Sequence, residues 1–261
     1  MPTPFSEVLA SLRLRDGHFT AQTSEDWLQG RSVFGGLQAA LALQAMRAVY
    51  SGGAPLRTLQ VTFMAPVPAG EVRLQAQVLR AGKNASHVQA QIVDGDQILC
   101  TALGIFGAAR ESAINVAPAW SAVGDGIAFP HLPGVTPAFQ QHFAIRWCRG
   151  GMPFTGASLP ENVLEIDLID QGQAGEAQVL AIADFIPPVA LSLMRKPSPG
   201  SSMTWMIEFL GEPLQGLPLA GWRMDAQVTA AGQGYTSQTG LLWRPDRTAA
   251  ALSRQSMVIF G

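Results

Sequence analysis

Few residues in this chain are placed to do chemistry. Gly35 and Gly36 stand immediately before a run from Leu37 to Tyr50 whose strongly polar residues are Gln38, Gln44 and Arg47 alone. That Ala/Leu/Met/Gln content favours a helix buried almost all round. Helix N-termini carry unpaired N–H groups and partial positive charge, so an end left uncovered by side chains can hold an anionic or carbonyl oxygen. The same two glycines would equally serve to let the helix pack tightly against a sheet. Near the other terminus, Gln255 follows Arg254 and precedes an apolar stretch. Its amide is donor and acceptor at once, which suits fixing a water or polarising a carbonyl. His18, His87, His131 and His142 fall in no His-x-x-x-His or His/Asp spacing. No metal or other cofactor is therefore expected, and no histidine–carboxylate dyad is visible. The absence of a Gly-x-Ser-x-Gly elbow removes the common serine-hydrolase route.

The elements that must position these groups read mainly as strands. Residues 17–22 form a short opening strand, and Trp27-Leu-Gln-Gly30 leads into the buried helix, which Ser51-Gly-Gly-Ala-Pro55 ends. From Thr58 to Met64, Leu59, Val61 and Phe63 alternate with Thr58, Gln60 and Thr62, the period of a half-buried strand. Val72 to Leu79 and His87 to Val93 continue the pattern, and Asp94-Gly95 is a hairpin signal before Gln97 to Phe106. Residues 108–140 lapse into Ala, Pro, Gly and Ser with isolated aromatics, a connecting segment between units at 1–107 and 141–261. Strands resume at Phe143 to Trp147 and Val163 to Ile169. Glu176 to Ala183 reads as a second helix, a poorer copy of the first that Pro187-Pro188 must break.

Composition bounds the function classes. Hydrophobic residues make up 48% of the 261 and charged residues 14%, a balance that suits extensive burial and opposes disorder. Lys+Arg 17 against Asp+Glu 19 leaves a net charge of −2 with no basic run, so nucleic acid is not an expected partner. Cys100 and Cys148 sit in apolar stretches without a Cys-x-x-Cys spacing and read as free thiols of a reducing cytoplasm. The N-terminus lacks a basic segment followed by an apolar run, and the apolar helix is too short to span a bilayer.

The sequence also echoes itself. Thr62-Phe-Met-Ala-Pro66 is matched by Glu208-Phe-Leu-Gly-Glu-Pro213, Ala76-Gln-Val78 by Ala226-Gln-Val228, Ala81-Gly82 by Ala231-Gly232, and Ile105-Phe-Gly107 by Ile259-Phe-Gly261. The spacings are 146, 150, 150 and 154 residues, in the same order along the chain. Small insertions in turns produce such a drift, which reads as a tandem duplication of one α+β unit.

A buried helix announced by Val33-Phe-Gly-Gly36, four antiparallel strands after it, and a second such unit resemble the TesB-like (thioesterase II) acyl-CoA thioesterases. Arg31-Ser-Val-Phe-Gly-Gly36, Ser202-Met-Thr-Trp-Met-Ile-Glu-Phe-Leu210 and Leu241-Leu-Trp-Arg-Pro-Asp246 through Ser253-Arg-Gln-Ser256 carry the resemblance, which spans nearly the whole chain. It implies an α+β tandem (double) hotdog, two antiparallel sheets each wrapped around a central helix, with acyl-CoA bound where the units meet and a homo-oligomer as the assembly. It also implies a hydrolytic centre of an Asp, a Thr or Ser, and a Gln that direct water at the thioester.

Carried onto this chain, the Gln matches Gln255 and the hydroxyl residue Thr229. Alignment on Phe209 puts Thr204 at the aspartate position, where a hydroxyl can hold a water but cannot take its proton at neutral pH. Strict alternation groups Ser202, Thr204, Met206 and Glu208 on one face of their strand. Asp225 is a substitute carboxylate. Asp184, ahead of Phe185-Ile-Pro-Pro188, resembles a recurrent family feature and also fits helix and turn hydrogen bonding. Phe34, Gly35 and Gly36 become the substrate-binding helix end. Two functions follow: an acyl-CoA hydrolase of fatty acid metabolism, or an acyl-CoA or acyl-chain binding protein that kept the pocket and lost the base. A dehydratase would need a histidine with a carboxylate in the site, and no such pair is evident.

Overall fold

A computed structural model describes residues 2–211 and 214–260; Glu212, Pro213 and Gly261, which end two of the echoed segments, lie outside it. The first half runs α1 (Phe5–Ala10), β1 (Arg13–Arg15), β2 (His18–Thr23), the short ribbon β3 (Leu28–Gln29) and β4 (Ser32–Val33), and then α2 (Gly35–Val49). Four strands follow: β5 (Leu56–Phe63), β6 (Gly70–Ala81), β7 (Ala85–Asp94) and β8 (Gln97–Gly107). After a connecting segment come β9 (Ile127–Ala128), β10 (Phe143–Arg149), β11 (Glu161–Leu168), α3 (Glu176–Asp184) and α4 (Ala190–Leu193). Finally β12 (Gly200–Phe209), β13 (Trp222–Gly232), β14 (Tyr235–Trp243) and β15 (Ala249–Ile259) close the chain.

Two separate sheets were expected, and here the structure corrects the sequence: among the described residues one antiparallel sheet of 13 strands runs β1-β2-β6-β7-β8-β5-β12-β15-β14-β13-β11-β10-β9. The halves fuse because β5 and β12 would each be an unpaired edge, and pairing them, from Thr62 opposite Thr204 to Thr58 opposite Glu208, satisfies both. Outward from that seam the order is β5, β8, β7, β6, β2 on one side and β12, β15, β14, β13, β11 on the other.

Both longer helices lie on the inner face. In α2, Leu37 through Leu43, Ala45 and Met46 are buried, as an apolar surface on every side demands, and the helix packs on β6, β7 and β8. It also packs against α3, with Gly36 beside Ala181 at one end and Arg47 bonded to Glu176 at the other, so the two helices are antiparallel. α3 stops at Asp184 because Pro187 and Pro188 cannot donate and would clash with the preceding turn. Gln38, the polar residue nearest the start of α2, turns its amide back to the Val33 carbonyl. Among the described residues, no helix is long and apolar enough to cross a membrane.

The helix pair is close enough to dictate glycine. A Cβ at Gly36 would stand 2.9 Å from the Ala181 Cα and 2.7 Å from the Phe34 ring, and a backbone neighbour cannot rotate away. Gly36→Ala is therefore expected to destabilise the chain by about 1–3 kcal/mol in denaturant titration. An unchanged midpoint would show that the helices have room to separate.

Candidate active site

Asp184 is the last residue of α3. A carboxylate there opposes the negative end of the helix dipole, so the sequence places it against local preference. The antiparallel pairing supplies the compensation, because α3 ends where α2 begins. The Phe34 carbonyl takes the N–H groups of Leu37 and Gln38, leaving those of Gly35 and Gly36. The Gly36 amide is directed at the Asp184 carboxylate. A Cβ at Gly35 would come within 2.7 Å of Asp184 Oδ2, so a side chain at that position would push the carboxylate off the helix end. Gly36 thus allows the tight packing and gives its amide to Asp184.

On its other side Asp184 accepts a hydrogen bond from the Gln255 side-chain amide. Gln255 Oε1 in turn accepts from Gln238 Nε2 at 3.0 Å, and Gln238 Oε1 accepts from the Val189 N–H at 2.9 Å. Both glutamines are buried. Asp184 as a residue is half-buried, yet desolvation of its carboxyl dominates and pushes its pKa from 3.8 up to about 7. The bonds from Gln255 and Gly36 pull the other way without cancelling it, and no charged side chain contributes to the shift. Phe63, whose ring lies beside Gly35, adds to the apolar wall.

Two hydroxyls stand opposite Met257, two residues from Gln255: Ser202 on β12 and the buried Thr236 on β14. Trp205 pairs with Gln255 and Thr204 with Ser256, but Ser202 pairs with Met257 because a bulge at Met203 interrupts the ladder. Directly opposed residues share a face, so Ser202 joins Gln255 and the buried Met257 on the inner surface while Thr204 points outward. The grouping of Ser202 with Thr204 on one face thus fails at a single extra residue.

The structure does not bring the other candidates to Gln255. Thr204 is exposed at the outer side of the seam, between Thr62 and Ser256. Thr229 is exposed, sits at a bulge between Val228 and Ala230, and donates to the Ser237 carbonyl at 2.9 Å. Asp225 is held on the outer face by two 2.6 Å bonds from Arg223 and one of 3.0 Å from the Trp243 indole. Phe34 is buried and stacks on Phe139 at 4.1 Å, behind the helix end.

A histidine–carboxylate pair does exist, contrary to the sequence reading: His142 Nε2 lies 3.3 Å from Asp26 Oδ2. The two are far apart in sequence, which hid the pairing. His142 is buried and stacked on Trp27 at 3.8 Å, and desolvation lowers its pKa despite Asp26. Asp26 also receives the Thr3 N–H, so the cluster ties the N-terminal segment to the second half. Cys100 is buried with its thiol pushed up to about 12, which keeps it protonated and unreactive.

The carboxylate that the fold brings to Gln255 is Asp184, and its sequence signal was weak but physical: an acid at a helix C-terminus, followed by Phe-Ile-Pro-Pro. Gln238 and Ser202 carried no such mark.

Residues 23–107 match the model of the acyl-CoA thioesterase N-terminal domain and residues 117–259 that of the C-terminal domain. Among solved structures, a hot-dog-fold protein of Alicyclobacillus acidocaldarius aligns with TM-score 0.89 and 20% identity, covering 98% of each chain. A tesB protein of Mycobacterium avium subsp. paratuberculosis aligns with TM-score 0.77 and 15% identity over 99% of this chain and 100% of that one. An acyl-CoA thioesterase II of Mycobacterium marinum gives 0.72 and 14% over 98% of each. No curated protein sequence matches the chain. With the two domain models together spanning most of its length, this chain belongs to the acyl-CoA thioesterase family that they describe.

Proposed function

We propose that the protein hydrolyses acyl-CoA thioesters to free fatty acid and CoA, with Asp184 as the general base. The observation that carries this reading is the Asp184 carboxyl itself, poised at about pKa 7 between the α2 end and Gln255. A base titrating near the working pH combines a useful ionised fraction with real proton affinity. In the reaction, Asp184 takes a proton from a water as its oxygen attacks the thioester carbon. The tetrahedral intermediate then expels the CoA thiolate. Gln255 has a second amide N–H beyond the one given to Asp184, and Ser202 lies beside it on the inner face; together they orient the water. The Gly35 amide is the helix-end donor left for the developing oxyanion, a kind of contact worth roughly 3 kcal/mol. Gly36 holds the base, and Phe34 backs the helix end.

Asp184 beside Gln255 supports the hydrolase over the binding-protein alternative, which rested on a missing carboxylate at Thr204. The same reading takes 1–107 and 141–261 as the duplicated units, with 108–140 joining them.

Asp184→Asn and Gln255→Ala are each expected to lower kcat/KM for acyl-CoA by ~100-fold or more, whereas Thr204→Val and Thr229→Val stay near the parent. An Asp184→Asn enzyme with the parent's turnover would overturn the assignment. The pH dependence has a definite sign. The base works ionised, so kcat/KM should rise through about pH 7 and level off above it. Stability runs the other way, because between the unfolded value of 3.8 and the folded value of about 7 the native chain keeps a proton that the unfolded chain releases. This group therefore lowers stability as pH rises through that window. Asp184→Asn, neutral at every pH, should melt higher than the parent at pH above 7 and show a flatter Tm-against-pH curve.

A further inference from the structure

Gln255 can orient a water only if its amide is fixed, and the residue that fixes it is the one behind it. We infer that Gln238 is a positioning residue: it sets which end of the Gln255 amide faces Asp184, and it does so by relaying the direction of a single backbone N–H. The inference rests on the reading of Asp184 as base.

The polarity of the chain of bonds is forced from both ends. Val189 follows Pro187 and Pro188, neither of which has an N–H, and it stands at the start of α4, where its own N–H has no intrahelical acceptor. That N–H can only donate, so the Gln238 atom facing it at 2.9 Å is the carbonyl oxygen. An amide presents its two ends in opposite directions, so Gln238 then has its NH2 toward Gln255 and donates to Oε1 at 3.0 Å. With its oxygen engaged, Gln255 faces Asp184 with its NH2. The ionised carboxylate accepts only, so the far end of the relay demands the same orientation. All four groups are packed, and reversing either amide would place N–H against N–H or oxygen against oxygen.

The consequence for the reaction is that Gln255 stabilises the charged, working form of the base. A flipped Gln255 would set its carbonyl against the carboxylate and favour the protonated form. Gly35 and Gly36 from α2 and Gln255 from β15 meet Asp184, Phe63 from β5 lies beside Gly35, and no charged side chain shifts the carboxyl, so the relay is an adjustable influence on it. Gln238 lies on β14 directly opposite Gln255, which makes the contact a cross-strand pair rather than a chance approach.

The test is the pH profile of kcat/KM for an acyl-CoA with Gln238→Met, which keeps the volume and removes both bonds. The acid limb should move up by about one unit, a loss of roughly tenfold at about pH 6 that largely disappears at about pH 9, with KM little changed. Gln238→Glu, protonated in this buried setting, can still accept from Val189 and donate to Gln255, and should keep the parent's rate at about pH 6. A Gln238→Met profile identical to the parent's, a loss equal at every pH, or equal losses in both variants would overturn the inference. Should Gln238→Met not fold, side-chain amide NMR of the unaltered protein decides. Slowly exchanging Gln238 and Gln255 signals that shift together as Asp184 ionises support the relay, and freely exchanging, pH-insensitive Gln238 signals overturn it. Asp184→Asn with parental activity would instead overturn the base assignment, whereas an inactive Asp184→Asn beside a parental Gln238→Met overturns the relay alone.

Discussion

The structure depends on one contact between helix ends. α3 delivers Asp184 at its own unfavourable C-terminus and relieves it at the open N-terminus of α2. That exchange works only if the helices are antiparallel and nearly touching, which is why Gly35 and Gly36 carry no side chain. Burial then raises the carboxyl's proton affinity while the Gly36 amide and Gln255 keep the increase moderate. A carboxyl with neither partner would stay protonated in this setting, and one in open solvent would be too weak a base.

The opposite end of the same helix pair is built for a different purpose. There Glu176 begins α3, where an acid is favoured, and it meets Arg47 from the last turn of α2, where a base is favoured. Glu176 also accepts the Leu56 N–H, and the Arg47 guanidinium lies 4.4 Å over the Phe106 ring and donates to the Ala54 carbonyl. Every charge is paired, so this end holds the helices together and leaves nothing over for chemistry. The two ends of one helix pair thus differ, one an ion pair and the other a buried carboxyl, although the sheet around them repeats the same strand order on both sides of the β5–β12 seam.

Much of this was legible in the sequence. The alternation from Thr58 to Met64 gave β5, and the hairpin signal at Asp94-Gly95 fell at the turn between β7 and β8. The glycine pair and Gln255 stood out by residue type alone, and the diproline placed the end of α3. What could not be read was register and long-range pairing. One bulge at Met203 turns Ser202 inward and Thr204 outward, and a period-two count cannot see an inserted residue. Asp184 gathers its partners from residues 36 and 255, and Asp26 meets His142, at sequence separations that no motif spans. The fusion of two expected sheets into one likewise depends on edges that meet only after folding.

The proposal makes Asp184 a base tuned to near neutrality by its position between α2 and Gln255. Its carboxyl carbon can be followed directly by 13C NMR across the pH range, in the same sample used for steady-state turnover of acyl-CoA. A titration centred at about 7 that coincides with the rise of kcat/KM is the expected result. A carboxyl that titrates near 4, or one centred near 7 while the rate follows a different midpoint, would contradict it.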